Sequence, residues 1–245
     1  MKQIILFILI MILIFISKFT IREFFDLKFV HIPKNAGTSI ENIALKNNIK
    51  WGFRDWTKKD KDNKLIKSSG GCFKKPGNWI NRSTNNNVKY NSCYPWHMTP
   101  DELGRNIYNE DDELFGIVRN PYDKIVSAFK YRYGKNATKK ELNKFIKDKL
   151  TNFEKNERWN GCHILPQHKY THGNIKSDYI LKFENLDNDF KNLIKNNENK
   201  NIKTINLQKN NKSGSKLNMN DLTQKSKDLI YKAYKKDFEL FGYNK

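Results

Sequence analysis

Lys34 and Gly37 lie in a short loop between an apolar segment and a helical pattern. The run Phe29–Ser39 reads FVHIPKNAGTS, so it places a lysine, a glycine and two hydroxyl residues close together. Unpaired N–H groups in the first turn of a helix bind anions, and glycine allows the backbone to approach the ligand. Lys34 adds positive charge, and Thr38 and Ser39 add hydroxyl donors. The loop therefore predicts a phosphate-binding site.

The order of residues in this loop differs from that of the Walker A loop. A Walker A loop ends in Gly-Lys followed by Ser or Thr, whereas here Lys34 precedes Gly37. No clear magnesium-binding aspartate follows on a later predicted strand. The closest alternative is a P-loop-type kinase or other nucleotide-binding enzyme, and both of these observations count against it.

Arg119 is a second candidate phosphate ligand. It directly follows the apolar segment Glu113–Val118, and Pro121 marks the entry to a helix. Open α/β sheets bind ligands beyond the carboxyl ends of their strands, so we expect Arg119 to contact a phosphate in bidentate fashion. Ser127 lies about two helical turns further on. Two phosphate sites favour a ligand with phosphates at both ends over a triphosphate.

His97 precedes a short predicted helix. Thr99 and Glu102 have the spacing of a capping box, and Pro100 occupies the first helical position. His97 therefore lies in a loop. A single loop histidine is most often without a catalytic role, so the pattern alone assigns none to it.

No metal site is predicted. The spacing of His163 and His168 fits neither a helical ligand pair nor a zinc motif, and the cysteines form no Cys-x-x-Cys pair. One disulfide, for which Cys72 with Cys93 is a candidate pairing, is compatible with an oxidising compartment. Unpaired structural thiols, Cys162 among them, are the alternative.

The elements that must position these residues form one α/β domain. Short apolar runs predict buried parallel strands, and apolar residues at helical spacing predict the helices between them. The lysine loop is expected to lead into a helix at Thr38 or Ser39. The strands are predicted at Leu27–Ile32, Glu113–Val118 and Tyr179–Phe183, and further helices at Lys139–Leu150, Glu184–Leu193 and Leu222–Leu240.

The segment 46–94 has no regular period. Its aromatic residues are scattered among Lys, Asn, Gly and Ser. We expect an irregular insertion that lines a functional surface, because long loops in compact domains usually carry function.

The N-terminus carries an unbroken apolar run, Ile4–Ile16, between Lys2 and Lys18. The run is shorter than the roughly 20 residues of a comfortable membrane span and has no good signal-peptidase site after it. We expect residues 1–22 to be an uncleaved signal-anchor and residues 23–245 to be a lumenal domain. A buried core helix is the alternative, and cleavage would instead give a soluble secreted form.

The chain is strongly basic, with a net charge of +20, and 38% of its residues are hydrophobic, which is enough for a folded core. The charge requires either an anionic partner or a bias towards lysine and asparagine. No basic block interleaved with aromatic residues is present, so no nucleic-acid partner is expected. A non-enzymatic binder of anionic glycan or nucleic acid is a further alternative.

Taken together, these motifs resemble those of the sulfotransferases, in particular the membrane-anchored carbohydrate sulfotransferases. His31–Ser39 is similar to the family's 5′-phosphosulfate loop, and Gly116–Ser127 to its 3′-phosphate motif. Weaker similarities follow in family order at Leu165–Gln167, Phe183–Leu186, Asn211–Ser213 and Asp237–Tyr243.

The resemblance implies a three-layer α/β fold like that of the P-loop NTPases, with a central parallel sheet flanked by helices. It also implies 3′-phosphoadenosine 5′-phosphosulfate (PAPS) as the sulfo donor, with no metal. In this sequence, Lys34 would neutralise the leaving 5′-phosphate, and Arg119 and Ser127 would hold the 3′-phosphate. The residues that would wrap the 5′ end are Asn35, Ala36, Gly37, Thr38 and Ser39.

By the same resemblance, a histidine or glutamate between the two motifs takes the proton of the acceptor hydroxyl. His97 is the histidine between His31 and Arg119, so it becomes the favoured catalytic base, with Glu102 in reserve. The acceptor would be a hydroxyl of a glycan, and the enzyme a single-pass glycoprotein of a Golgi-type lumen in a eukaryotic host. The glycosylation triplets begin at Asn81, Asn136 and Asn211.

Overall fold

The structure is a computed structural model, and it describes residues 27–47, 49, 51, 93–196, 202 and 214–245, together with the backbone of four short strands between positions 56 and 89. The expected signal-anchor at 1–22 and the triplet at Asn211 lie outside the described residues. Among the residues that are described, no helix has the length and apolarity to cross a membrane.

Two sheets are present. The elements in chain order are β1 (Lys28–Val30), α1 (Gly37–Lys46), β2 (Trp56–Lys59), β3 (Leu65–Ile66), β4 (Asn78–Asn81), β5 (Asn87–Lys89), a 3-10 helix (Pro95–His97), α2 (Pro100–Leu103), β6 (Leu114–Val118), α3 (Pro121–Tyr133), α4 (Lys139–Leu150), α5 (Phe153–Asn156), a turn (Trp159–Cys162), α6 (His168–Thr171), β7 (Tyr179–Lys182), a 3-10 helix (Phe183–Asn185), α7 (Leu186–Asn196), a 3-10 helix (Met219–Asp221), α8 (Gln224–Ala233) and α9 (Lys235–Phe241).

The central sheet is parallel, with the strand order β1-β6-β7. Phe29 pairs in register with Phe115, and Phe115 with Tyr179. Every residue of β6 is buried, as expected for a middle strand covered on both faces. The carboxyl ends of β1 and β6 therefore meet at one edge, where the loops carrying Lys34 and Arg119 begin.

Helices cover both faces of this sheet, which confirms the predicted three-layer α/β fold. Alternate strand residues point to opposite sides. Phe29 and Phe115 pack against α1 and α7, whereas Val30 and Val118 pack with Tyr170 and α9. A third apolar cluster joins α3, α4 and α8.

The segment 46–94 contains regular structure that its sequence does not predict. An antiparallel sheet runs in the order β3-β2-β4-β5, so the expectation of an irregular insertion is wrong for these strands. Its strands are short and rich in Asn and Lys, so they lack the apolar alternation that marks a strand in sequence. Asn81, the first residue of one glycosylation triplet, ends β4.

The C-terminal helix is interrupted. The sequence predicts one helix over Leu222–Leu240, but α8 ends at Ala233 and α9 begins at Lys235. Tyr234 at the break is fully buried, and its hydroxyl donates a hydrogen bond to the carbonyl of Ile164. The break thus lets Tyr234 fix the C-terminal helices to the segment that precedes α6.

Candidate active site

The lysine loop forms a cradle of backbone N–H groups. Lys34 and Ala36 have left-handed backbone conformations, with φ values of 71° and 64°. The helix α1 then begins at Gly37 with no side chain capping it. Within the described part of the chain, the N–H groups of Ala36, Gly37 and Thr38 donate to no acceptor. These groups and the helix dipole favour an anion at this position.

Gly37 is required by the ring of His31. A Cβ atom on Gly37 would lie 2.4 Å from His31 Cε1, so any larger residue would displace the imidazole. The ring is fixed on its other side by Glu41, whose Oε1 lies 2.6 Å from Nδ1. His31 is therefore a buried residue that packs against the loop, as expected near the end of the predicted strand Leu27–Ile32.

The environment of Lys34 makes its ammonium group easier to deprotonate. Burial and the neighbouring Arg119 lower the pKa of Lys34 to about 8. Its Nζ lies 3.9 Å from the ring centroid of Tyr131, and no carboxylate in the described residues forms an ion pair with it. An anionic ligand would supply the missing counter-charge.

Arg119, in the second motif, contacts the lysine loop. Its Nη1 donates to the carbonyl of Lys34 over 3.4 Å, and its guanidinium lies 4.1 Å from the ring centroid of Phe183. Burial lowers the pKa of Arg119, and its buried Nε has no hydrogen-bond partner. A buried unpaired donor of this kind fits a site for a phosphate group.

Ser127 lies on the face of α3 that carries Asp123 and Lys130, because residues three and four positions apart share a helix face. Both of these charged residues interact electrostatically with Arg119. Ser127 is half-buried. Ser127 therefore shares a helix face with two residues that interact with Arg119, but in the described part of the chain its side chain makes no hydrogen bond to Arg119 or to the lysine loop.

Asn35 has a different position from the other loop residues. Its side chain is buried and donates to the carbonyl of Ile117 over 2.7 Å and to Oε1 of Gln167 over 2.6 Å. The side-chain amide of Asn35 therefore holds the loop against the sheet, and the ligand-facing donors are those of Ala36 to Thr38. Ser39 donates its backbone N–H to the carbonyl of Ala36.

His97 lies beside the lysine loop, in a group of aromatic rings that pack in tilted or edge-on arrangements. Its ring centroid is 5.1 Å from that of His31 and 4.9 Å from that of His163. Nδ1 bonds the carbonyl of Gly161 at 2.8 Å, which leaves Nε2 as the acceptor of a neutral ring. Burial, followed by the neighbouring histidines, lowers the pKa of His97 well below its ordinary value. His97 is therefore unprotonated at neutral pH.

His163 packs between His97 and Tyr131, the ring that the Lys34 ammonium group contacts. Its ring stacks on Tyr131 with centroids 4.9 Å apart, and its Nδ1 bonds the carbonyl of Asn160. Burial lowers the pKa of His163 to about 3. Although the histidines cluster, no group of three potential ligands in the described residues has the geometry of a metal site.

Glu102 is committed to structural contacts. Its Oε2 accepts hydrogen bonds from the N–H and hydroxyl of Thr99, and its Oε1 pairs with Arg158 at 2.7 Å. The predicted capping box is thus confirmed. Burial alone would raise the pKa of Glu102, but the bonds from Thr99 and Arg158 lower it overall. Its carboxylate oxygens are already used, which favours His97 over Glu102 as the base.

A disulfide joins the two segments that carry the histidines. It links Cys93 with Cys162, so the candidate pairing of Cys72 with Cys93 is wrong. The residues Asn160, Gly161 and Cys162 all have left-handed backbone conformations. This unusual turn brings Cys162, distant in sequence, against Cys93, which spacing along the chain does not indicate.

The fold and the site define an α/β protein in which two adjacent loops carry a lysine and an arginine, with a neutral histidine beside them. The family model described as "Sulfotransferase family" matches residues 17–244, and the chain belongs to that family. Neither the curated proteins nor the solved structures contain a significant match to this chain.

The sequence reasoning missed two residues of the site. His163 was considered only as a metal ligand, although its neighbours in the sequence form a loop rich in polar residues. Gln167 appeared only in a weak family similarity, Leu165–Gln167, yet it contacts both phosphate motifs. A single glutamine that follows both motifs in the sequence gives no periodic signal, so only the tertiary contacts reveal it.

Proposed function

We propose that this sulfotransferase transfers the sulfo group of PAPS to a hydroxyl of a carbohydrate acceptor. The observation that carries the proposal is the contact between the two loops, where Arg119 Nη1 reaches the carbonyl of Lys34. The resulting site has two separate cationic groups and a set of unpaired N–H groups. Such a site suits a nucleotide with phosphates at both ends better than a triphosphate.

The reaction exchanges one S–O bond for another. The acceptor oxygen forms a bond to sulfur while the bond between sulfur and the 5′-phosphate oxygen breaks, giving a sulfate ester and adenosine 3′,5′-bisphosphate. Lys34 and the N–H groups of the loop stabilise the charge that develops on the leaving phosphate. Arg119 and Ser127 hold the 3′-phosphate. No step requires a metal ion.

His97 takes the acceptor proton on Nε2. Because Nδ1–H is bonded to Gly161, the tautomer with a free Nε2 lone pair is fixed before the acceptor binds. The backbone of His97 is also held, since its carbonyl accepts a bond of 2.8 Å from the Tyr170 hydroxyl. These contacts support a preorganised base rather than a surface histidine.

Replacement of the base tests this role. For His97→Ala we expect kcat to fall by about a hundredfold or more, because general-base catalysis contributes about 10²–10⁴ in rate. The dissociation constant for adenosine 3′,5′-bisphosphate should change by less than about threefold. Calorimetry and transfer of labelled sulfo groups measure the two effects.

A matched control is His172→Ala, which replaces a histidine that packs on Phe241 away from the lysine loop. It should retain transfer. Unchanged turnover in His97→Ala would contradict the assignment. Tight binding of ATP with Mg²⁺ but not of the bisphosphate would instead favour a kinase.

We further propose that the domain is lumenal and held at the membrane by residues 1–22. The Cys93–Cys162 disulfide supports an oxidising compartment. Asn136 is exposed and suits a glycan. The segment 46–94 is proposed to select the acceptor, and a panel of desulfated glycans assayed with labelled PAPS identifies it.

A further inference from the structure

Gln167 lies between the lysine loop and the strand end that carries Arg119. It is fully buried and precedes α6. Glutamine is mostly exposed in folded proteins, and a buried amide costs free energy unless its donors and acceptors are paired. The contacts of this side chain therefore explain why it is there.

The amide of Gln167 bonds both phosphate motifs at once. Oε1 accepts from Asn35 Nδ2 at 2.6 Å and from the Arg119 N–H at 2.8 Å, while Nε2 donates to the Arg119 carbonyl at 2.8 Å. The orientation of the amide follows from its neighbours. Oε1 faces two N–H donors, and Nε2 faces two acceptors, the Arg119 carbonyl and Asp237 Oδ2.

Asp237 fixes Gln167 from behind. The carboxylate is fully buried and accepts the backbone N–H of Gln167 at 2.8 Å and that of His168 at 2.9 Å. The ring of His168 also bonds it, with Nδ1 2.7 Å from Oδ1. Gln167 is thus held both at its backbone and at its side chain.

We propose that Gln167 is a positioning residue that sets the distance between the 5′ and 3′ phosphate sites. It acts through Asn35 on the lysine loop and through the backbone of Arg119 on the second motif. This inference rests on the proposed function. A small shift of one loop is enough to bind a ligand with one phosphate. A ligand with two phosphates needs both loops at a fixed separation.

The test compares ligands with one and two phosphates. We take the ratio of the dissociation constants of adenosine 5′-phosphate and adenosine 3′,5′-bisphosphate as the advantage of the second phosphate. In Gln167→Leu, which keeps the size but removes the hydrogen bonds, we expect this advantage to fall about tenfold. Binding of the monophosphate should change by less than about threefold.

Steady-state kinetics give a second readout. The KM for PAPS should rise in Gln167→Leu while the KM for the acceptor stays within about twofold, because in the described residues the side chain of Gln167 bonds Asn35, Arg119 and Asp237 and not His97. A residue needed only for folding would lower the amount of active enzyme and leave both KM values unchanged.

The control is Asn143→Leu. Asn143 is also an amide that links distant segments, since Nδ2 donates to the Asp221 carbonyl at 2.9 Å and Oδ1 accepts from the Thr223 N–H at 2.8 Å. It lies on α4, away from the phosphate motifs. Asn143→Leu should lower the melting temperature without altering the ratio of the two dissociation constants.

Each outcome decides the proposal. Equal weakening of both ligands in Gln167→Leu, or no weakening in a folded variant, overturns it. If Gln167→Leu does not fold, Gln167→Glu replaces it, since it keeps the acceptor oxygen and the side-chain length. Loss of folding in both variants overturns the positioning role in favour of a structural one. A wild-type protein that shows no advantage for the bisphosphate would instead contradict the proposed function.

Discussion

The ammonium group of Lys34 is largely buried, although in the proposed reaction it binds the leaving phosphate. Burial and Arg119 lower the pKa of its ammonium group to about 8. The free protein therefore carries this charge below pH 8 and loses it above that pH. A bound anion reverses the shift, because an opposite charge favours the ammonium form.

Binding of the bisphosphate is expected to weaken as pH rises through about 8. The loss should approach about tenfold per pH unit, since one proton must be taken up with the ligand. Lys34→Met should bind less tightly below pH 8 and lose most of this pH dependence. Calorimetry between pH 6.5 and 9.5 measures both quantities.

Lys46→Met is the matched control, because it removes the same charge from the exposed last turn of α1, the helix that follows the lysine loop. Its pH dependence should equal that of the wild type. Lys124, whose pKa burial also lowers to about 8, is present in every variant. An unchanged pH dependence in Lys34→Met would therefore move the assignment away from Lys34.

At the scale of elements, the position of His97 depends on a turn that is far away in the sequence. The Cys93–Cys162 disulfide joins the 3-10 helix Pro95–His97 to the turn that ends at Cys162. The bond from His97 to the Gly161 carbonyl crosses between the same two segments. Gly161 is also required here, since a Cβ on it would lie 2.5 Å from the Tyr94 ring.

Removal of this disulfide should lower both stability and turnover. For the double variant Cys93→Ala/Cys162→Ala, chain entropy over the sequence separation of 69 residues corresponds to about 4 kcal/mol of unfolding free energy. We expect kcat to fall about tenfold in the fraction that is folded. Bisphosphate binding should be nearly unchanged, because Arg119 and the lysine loop belong neither to the 3-10 helix nor to the turn that the disulfide joins. Denaturant unfolding and transfer assays measure the effects.

Cys72→Ala serves as the control and should leave both quantities unchanged, because Cys93 is paired with Cys162. Turnover in the double variant equal to that of the wild type would show that the Gly161 contact places His97 without the disulfide.

At the scale of the whole molecule, the C-terminal helices support the residues that hold the lysine loop and the segment of Arg119 together. Asp237 on α9 accepts bonds from Gln167 and His168, and it lies close enough to the buried Lys124 to raise that residue's pKa against the effect of burial. Lys124 itself donates to the Leu165 carbonyl at 2.8 Å. The end of the chain thus supports residues that hold both phosphate motifs.

Asp237→Ala should be strongly destabilising. It removes one partner of buried polar contacts and leaves Lys124 without its counter-charge, which costs about 3–5 kcal/mol of unfolding free energy. Asp228→Ala is the control, since Asp228 is exposed and its pairing with Lys245, at 3.8 Å, should contribute less than about 1 kcal/mol. Urea unfolding compares the two, and equal midpoints would contradict this role for Asp237.

The sequence by itself determined the local features of this protein. The apolar runs at β1, β6 and β7 predicted the parallel strands, the spacing of Thr99 and Glu102 predicted a capping box, and the order of Lys34 and Gly37 excluded a Walker A loop. These signals arise between residues that are close along the chain, so periodicity and capping chemistry report them.

Only the tertiary structure decided which distant residues meet. It paired Cys93 with Cys162, placed His163 between His97 and Tyr131, and put Gln167 between Asn35 and Arg119. Such contacts join segments whose separation has no period, and several involve buried polar groups that a hydrophobic pattern does not mark. Their positions follow from packing the layers together, because each buried donor or acceptor must find a partner once water is excluded.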